Sequence, residues 1–267
     1  MSELTPHQNQ ANMKTKINRL IVDIETSPCV GLFWRPGWKL SIPHDNIMQE
    51  SKIICICYKW EGARKVESLQ WDENQCDKAM LVEFLEIANS ADELIGHNGD
   101  KFDFPWIKAR CIYHDLEVPP VWKTVDTLVI ARRRFKFNSN RLDYLGQHLL
   151  GEGKLHTEFG LWKSILLEKC DKSMKAMVKY CKKDVDLLER VWKRLEPYHT
   201  PKTHVGCLNG LDKWTCPYTG STDVQSRGRV ITAAGTVKYR MRSNSGKWYQ
   251  ISEKAYREYR EWREEQK

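Results

Sequence analysis

The sequence lacks a long hydrophobic run. Its longest uninterrupted apolar stretch covers residues 53–58, whereas a helix that crosses a bilayer needs about 20 apolar residues. Residues 1–16 are polar and lack the apolar segment of a secretory signal. We therefore expect no membrane association, and we expect residues 1–16 to form a flexible N-terminus.

C-x-x-C motifs are also missing. The nine cysteines are scattered, their number is odd, and none belongs to a C-x-x-C motif. Disulfide frameworks are typical of short secreted chains with even cysteine counts. The pattern therefore argues against a secreted disulfide-rich protein. It predicts a cytoplasmic location, with most cysteines acting as small core residues.

Acidic residues are scarce in one segment. Residues 201–250 contain eight Lys and Arg against two Asp and Glu, so they carry +6 of the net charge of +8. Such a basic segment suits a polyanion, and we expect nucleic acid as the partner. A solvated basic face is the alternative.

Apolar periodicity predicts a mixed α/β domain. Strand patterns occupy residues 18–26, 52–60, 65–71 and 93–98, and helix patterns occupy residues 77–91, 104–115, 125–135, 141–150 and 173–195. Residues 52–60 are apolar on both alternations, which is typical of a central strand.

A stretch rich in Pro, Thr and Gly, residues 196–210, predicts a domain boundary. We expect a first domain at 17–198, a small β-rich module at 199–250 and a C-terminal helix at 251–267. Tyr256, Tyr259 and Trp262 lie three residues apart in that helix, and we expect this stripe to dock against protein.

Two carboxylates interrupt the first strand. Strand side chains alternate, so Asp23 and Glu25 project to one side, opposite Ile24. Buried carboxylates that repel one another are costly, and a hard divalent cation such as Mg²⁺ or Mn²⁺ resolves the conflict. The same D-x-E pattern at Asp115 and Glu117 is interpreted as a solvated helix end.

Two further polar pairs follow. Asn98 and Asp103 surround a loop between a strand and a helix, although Asp103 could simply cap that helix before Pro105. Tyr180 and Asp184 are four residues apart and share a helix face. The alternative there is a solvated Asp beside a half-buried Tyr.

Together, D-x-E, N-x-x-x-F-D and Y-x-x-x-D resemble the motifs of the DEDD 3′–5′ exonucleases, in the tyrosine-bearing subgroup. The resemblance spans about residues 17–196 and implies a ribonuclease H-like mixed sheet flanked by helices. Asp126 in VDTLVIARRR also resembles the stretch between the second and third motifs.

The resemblance implies two Mg²⁺ or Mn²⁺ ions, about 4 Å apart, bound by four carboxylates: Asp23, Glu25, Asp103 and Asp184. Tyr180 would stay protonated and orient the attacking water. Thr26 and Asn98 would hold the terminal nucleotide. Phe102 would stack on a base or belong to the core.

A basic run continues from the helix at 125–135. Arg132, Arg133 and Arg134 precede Phe135 and Phe137, and basic residues interleaved with aromatics suit single-stranded nucleic acid. The alternative is a helix end with core aromatics. Three other acids are interpreted as surface charges: Asp143, Asp171 and Asp186.

The C-terminal module resembles a zinc ribbon that follows the nuclease domain in some phage-encoded proteins. Cys216 is kept, but three ligand positions hold Thr219, Arg242 and Ser245, so we expect no structural zinc. Its core would comprise Trp214, Val230, Tyr239 and Trp248. Three of its arginines would bind phosphates: Arg227, Arg229 and Arg240.

The combined expectation is a metal-dependent 3′–5′ exonuclease acting on single-stranded or 3′-ended nucleic acid, with DNA preferred. A phage origin implies a bacterial host cytoplasm, and a proofreading role would need a separate polymerase as partner. The alternatives are a catalytically silent nucleic-acid-binding protein on the same fold, or the same chemistry on RNA or on short or cyclic oligonucleotides.

Overall fold

The structure is a computed structural model. It describes residues 17–35, 37, 40–119, 121–155 and 157–267. The predicted flexible segment 1–16 lies outside the described residues. The chain divides into a larger unit, Asn18–His199, and a smaller unit that contains Thr200–Lys267. Among the described helices, none combines the length and apolar character that a membrane span requires.

The larger unit contains seven strands and six α-helices among its described residues. The strands are β1 (Arg19–Thr26), β2 (Val30–Gly31), β3 (Ile47–Gln49), β4 (Ile53–Trp60), β5 (Glu67–Gln70), β6 (Glu93–Gly96) and β7 (Thr124–Asp126). The helices are α1 (Lys78–Asn89), α2 (Asp103–Tyr113), α3 (Thr127–Arg134), α4 (Leu142–Leu150), α5 (Gly160–Glu168) and α6 (Asp171–Leu195).

Five of these strands form one mixed sheet in the order β5-β4-β1-β6-β7. Strand β4 is antiparallel to both β1 and β5, whereas β6 is parallel to β1 and β7 is parallel to β6. β1 therefore lies at the centre, paired on both sides. Its apolar residues are buried on both faces, as the sequence predicts for an internal strand.

Helices cover both faces of the sheet. Ile21 packs in the same core cluster as Val185 and Trp192 of α6, and Leu20 packs with Phe84 of α1 in a second cluster. Full burial of a side chain of this size contributes about 1.5–3 kcal/mol. The predicted fold class, a ribonuclease H-like mixed sheet flanked by helices with a β-rich C-terminal module, is confirmed.

The predicted helix at 125–135 is wrong at its start. Residues 124–126 pair with β6 as strand β7, and α3 begins only at Thr127. The Asp126 side chain caps α3 by accepting hydrogen bonds from the backbone N–H groups of Leu128 and Val129. Sequence analysis also missed α5 and the β2–β3 pair, whose strands of two and three residues are too short to show a period.

The smaller unit is a three-stranded antiparallel sheet with two helices. Its elements are α7 (Val205–Leu208), β8 (Val224–Ile231), β9 (Val237–Ser243), β10 (Trp248–Ser252) and α8 (Glu253–Glu265). Tyr259 of α8 is 1% exposed and its ring lies 5.6 Å from that of Trp214. The aromatic stripe of the C-terminal helix therefore docks within this unit.

Two of the core residues predicted for this module are misplaced. Trp248 is 53% exposed, and Val230 is only half-buried and lies outside the core cluster. Strand alternation explains the error, because Tyr249 and Ile251 of β10 face the core and Trp248 must then face away. Cys216 is fully buried among apolar residues of the same cluster.

Candidate metal centre

Three acidic side chains converge at the end of β1. Asp23 and Glu25 project to the side opposite Ile24, which is 4% exposed, and α6 packs across β1 and carries Asp184. One carboxylate oxygen from each of Asp23, Glu25 and Asp184 lies within 4.8 Å of the other two. Groups distant in sequence therefore form one acidic cluster.

Asp103 joins this cluster through the backbone of β1. It is the first residue of α2, is 3% exposed, and its Oδ1 accepts a hydrogen bond from the Ile24 N–H at 3.1 Å. The N-cap position of α2 belongs to Phe102 and shows no side-chain cap. Asp103 therefore does not occupy the N-cap position of α2, which was the alternative interpretation.

The cluster is electrostatically strained without a cation. Burial, followed by the charges of Asp103 and Glu25, raises the pKa of Asp23 well above its usual range. Burial and the neighbouring Asp184 raise the pKa of Glu25 to about 8, and burial raises that of Asp103 to about 7. A bound divalent cation would favour the ionised carboxylates and reverse these shifts.

Lys154 supplies a positive charge that sequence analysis missed. Its Nζ donates to Oδ2 of Asp184 at 2.5 Å and lies 5.6 Å from the ring centroid of Tyr180. Burial lowers the pKa of Lys154, but the carboxylates of Asp184 and Asp23 outweigh burial and hold it above its ordinary value. Lys154 therefore stays protonated beside the carboxylates.

The backbone of Lys154 is held by α4. Its N–H donates to Oδ1 of Asp143 at 2.7 Å, so Asp143, a partly exposed acid, also fixes this turn. A Cβ atom on Gly153 would lie 2.6 Å from that same Oδ1, so only glycine fits there without a shift. The sequence signal was a turn followed by a basic residue, which does not reveal where the lysine points.

Asp186, interpreted as a surface charge, has a side chain that is 40% exposed. It accepts a hydrogen bond from the buried Lys59 ammonium at 3.0 Å. Asp171, the first residue of α6, is exposed as predicted.

The residues present fit a divalent cation. Asp184 is 1% exposed and its Oδ1 has no hydrogen-bond partner among the described residues. An unpaired buried carboxylate oxygen costs free energy unless a ligand satisfies it. Oxygen-only ligands of this kind are those that Mg²⁺ and Mn²⁺ prefer.

Tyr180 lies one helical turn from Asp184 on α6. Burial raises the pKa of Tyr180 to about 12, with the nearby Lys154 acting in the opposite direction. The phenol is therefore protonated near neutral pH. It presents a hydroxyl group at the edge of the acidic cluster and can donate or accept a hydrogen bond there.

The residues predicted to hold a nucleotide lie around the same end of the sheet. Asn98 has a positive φ of 66°, a conformation that costs free energy for a side chain other than glycine. Its N–H donates to Oδ1 of Asp126 at 3.0 Å, and the N–H of Asp100 donates to Oδ2 at 3.3 Å. Asp126 thus holds the loop that precedes Asp103.

Phe102, on the same loop, is 39% exposed, and its ring is edge-on to Trp106 at 6.5 Å. Thr26 ends β1, and its carbonyl accepts a hydrogen bond from the Trp162 indole at 3.1 Å. Both side chains therefore remain candidates for contacts with a substrate.

The basic run after α3 divides into two parts. The three arginines at 132–134 are exposed, whereas Phe135 and Phe137 stack on each other at 5.1 Å and pack against the core. Phe135 also contacts the ring of Tyr198. The two aromatic residues thus pack in the core, as the alternative interpretation proposed, and the three arginines are exposed to solvent.

The arginines of the smaller unit lie on different faces of its sheet. Arg240 alternates with the buried Met241, so it faces away from the core, and Arg242 and Trp248 pair on the same face. Arg227 bonds to Gln225, which pairs with Arg242. Arg229 instead pairs with Tyr239, which stacks on Tyr256 of α8.

We call the surface formed by Arg227, Arg240, Arg242 and Trp248 the basic face. The guanidinium of Arg242 lies 5.8 Å from the Trp248 ring centroid. Exposed cations beside an exposed aromatic ring are typical of surfaces that bind phosphates and stack bases. Arg229 lies outside this face.

The comparison with known proteins gives a family match for part of the chain. Residues 45–152 match a family described as "Predicted 3'-5' exonuclease related to the exonuclease domain of PolB". That segment includes Asp103, whereas Asp23, Glu25, Tyr180 and Asp184 lie outside it. Among curated proteins, no match to the chain is found.

Among solved structures, the chain is similar to the family B DNA polymerase from the hyperthermophilic archaeon Pyrobaculum calidifontis. The TM-score is 0.51 and the sequences are 14% identical over 68% of this chain. The match covers 25% of the polymerase chain, so the chain corresponds to about a quarter of that protein. The likeness concerns the fold.

Proposed function

We propose that this protein is a metal-dependent 3′–5′ exonuclease that hydrolyses phosphodiester bonds of single-stranded DNA. The observation that carries the proposal is the convergence of Asp23, Glu25 and Asp184, with Asp103 bonded to the strand between the first two. The family match to a predicted 3′–5′ exonuclease supports the same reaction class.

Two Mg²⁺ or Mn²⁺ ions would be held by Asp23, Glu25, Asp103 and Asp184. When bound, such ions make a nucleophile available near neutral pH and stabilise the charge that develops on the departing 3′ oxygen. Asp23 would contribute to this site together with the other three carboxylates, whose charges all act on it.

The chain's own groups would orient the substrate. The protonated Tyr180 hydroxyl would position the attacking water, a contribution from orientation and not from proton abstraction. The Lys154 ammonium, which pairs with Oδ2 of Asp184, would contact the scissile phosphate. Thr26, Asn98 and Phe102 would hold the terminal nucleotide, and Arg132, Arg133 and Arg134 would contact the phosphates that follow.

The basic face of the smaller unit would bind single-stranded nucleic acid without sequence preference. Arg227, Arg240 and Arg242 would neutralise phosphates, and Trp248 would stack on a base. This contact would increase substrate capture and would make the affinity dependent on salt.

A silent binding protein on the same fold is the less favoured function. Four acidic groups near one strand end repel the phosphates that such a protein would have to bind, unless cations are bound there. The buried, unpaired Oδ1 of Asp184 also favours a cation.

The deciding experiment digests 5′-labelled DNA and RNA with free or blocked 3′ ends, in Mg²⁺, Mn²⁺ or EDTA. We expect stepwise shortening of single-stranded DNA from the free 3′ end in Mg²⁺, and none in EDTA or with Asp184→Asn. Lys163→Met, at an exposed residue outside the site, serves as the matched control. Cleavage that persists in EDTA would refute the proposal. Faster digestion of RNA than of DNA would identify RNA as the substrate.

A further inference from the structure

Three cysteines converge directly behind the acidic cluster. Cys55 and Cys57 are two residues apart on β4 and therefore project to the same side. Cys181 of α6 meets them from the facing helix. All three are 0% exposed, and their Sγ atoms lie within 4.8 Å of one another.

The spacing of these sulfurs suits a single thiophilic ion. In a tetrahedral zinc site with Zn–S bonds of about 2.3 Å, the sulfur atoms lie about 3.8 Å apart. Small rotations of the side chains would bring the three Sγ atoms to that distance. The three thiols lie against one another within the apolar core of the larger unit.

A fourth ligand is adjacent. The Sγ of Cys181 lies 3.5 Å from Oδ2 of Asp23 and 3.4 Å from the Asp23 carbonyl oxygen. Cys57 has one further neighbour, the carbonyl of Val178 at 3.8 Å. Zinc accepts carboxylate oxygen together with thiolate sulfur, so Asp23 can close a four-coordinate site.

We propose that Cys55, Cys57 and Cys181, with Asp23, form a site for one Zn²⁺ ion. Binding releases the three thiol protons, the Asp23 proton wherever that carboxyl is protonated, and the water ligands of the ion. It forms three Zn–S bonds and one Zn–O bond, with no change of oxidation state. The site is distinct from the carboxylate centre in its ligand chemistry, but it shares Asp23.

Sharing Asp23 has a functional consequence that rests on the proposed function. Zinc at the three cysteines would draw the Asp23 carboxylate away from the hard cations of the nuclease centre. Added Zn²⁺ should therefore inhibit nuclease activity in the presence of Mg²⁺, and Cys57→Ser should weaken that inhibition.

The test uses Cd²⁺ as the probe, because cadmium–thiolate bonds absorb in the ultraviolet and carboxylate–cadmium bonds do not. The reduced full-length chain is titrated both as the native protein and after refolding with the ion present, since the site is buried. We expect a thiolate band that saturates at one Cd²⁺ per chain and that Zn²⁺ removes by competition.

Matched variants assign the band to this cluster. Cys57→Ser and Cys181→Ser should each weaken Cd²⁺ binding more than about tenfold. Cys29→Ser and Cys207→Ser, at the exposed cysteines, should leave it unchanged. Circular dichroism verifies that each variant is folded, and Cys55→Ala replaces any variant that is not.

A reduced wild-type chain that gives no thiolate band under either protocol overturns the proposal. So does a band that persists in both Cys57→Ser and Cys181→Ser. Because the readout is an absorbance and not a reaction rate, a chain without nuclease activity would still answer this question, and the two proposals can fail separately.

Discussion

The Lys154 ammonium and the Asp184 carboxylate form an ion pair of 2.5 Å inside the acidic cluster, with Asp184 1% exposed. Asp184 accepts this bond through Oδ2, while its Oδ1 has no partner among the described residues. One oxygen of this carboxylate is thus neutralised by the protein, and the other is left for a ligand.

Lys154→Met should slow the nuclease by about 100-fold, a loss comparable to that of one charged or hydrogen-bonding group at a reacting phosphate. Lys154 also lowers the pKa values of Asp23, Glu25 and Asp184, so the activity of the variant should rise at a higher pH than in the wild type. Single-turnover rates across pH would measure both effects. A rate and pH profile matching those of Lys163→Met would show that Lys154 has no role in the reaction.

The stability of the metal-free protein should fall as pH rises. The pKa of Glu25 is raised from 4.5 to about 8 in the folded state, so between these values the folded chain binds more protons than the unfolded chain. The contribution of Glu25 to the free energy of unfolding is then largest below about pH 4.5 and decreases up to about pH 8.

Thermal melts in EDTA across this pH range would show the trend. Glu25→Gln should reduce its slope, because the glutamine carries no charge in either state. Mg²⁺ added at the alkaline end should raise the melting temperature of the wild type, since it binds the folded state alone. Equal slopes for wild type and Glu25→Gln would contradict the assignment.

Tyr180→Phe should lower the single-turnover rate by about tenfold or more while leaving metal affinity unchanged. The lost group positions a water and is not a metal ligand. The pKa of Tyr180 is about 12, so the pH profile of the wild type should show no inflection from this phenol near neutrality. Tyr113→Phe, at a 69% exposed residue, is the control, and identical rates for the two variants would exclude the role.

The basic face should determine the salt dependence of binding. The double variant Arg240→Gln/Arg242→Gln removes two phosphate contacts. On a single strand it should reduce the slope of log affinity against log salt by about 1.4. Arg229→Gln, on the other side of the sheet, should leave the slope unchanged. Fluorescence anisotropy with a labelled single strand measures both, and equal effects of the two substitutions would refute this placement.

The parts of the fold that sequence predicted best are those with dense, two-sided apolar patterns. β1 and β4 are buried on both faces, and only an internal strand satisfies such a pattern. β7 could not be predicted in the same way. Its three residues form a strand because β6 lies beside them, a tertiary contact that no local period reveals.

In the candidate site, too, residues with a local sequence signal were predicted and residues placed by tertiary contacts were missed. Asp23 was identified because a charge within an apolar strand is conspicuous in a sequence. Asp184 was identified through the Y-x-x-x-D motif and its resemblance to the DEDD exonucleases. Lys154 was missed because it follows a turn, and only the bond from its N–H to Asp143 directs it inward. The cysteine cluster was missed for a related reason, since spacing rules detect ligands that are close in sequence, and Cys181 belongs to another element.

A single helix, α6, carries Tyr180, Cys181 and Asp184. Successive residues of an α-helix are about 100° apart around its axis, so a one-residue slip of α6 along β1 would turn all three side chains away together. The buried Trp192, farther along α6, resists such a slip. Core substitutions there should therefore impair the water-positioning, thiol and acidic groups as a unit, even though none of those groups has been altered.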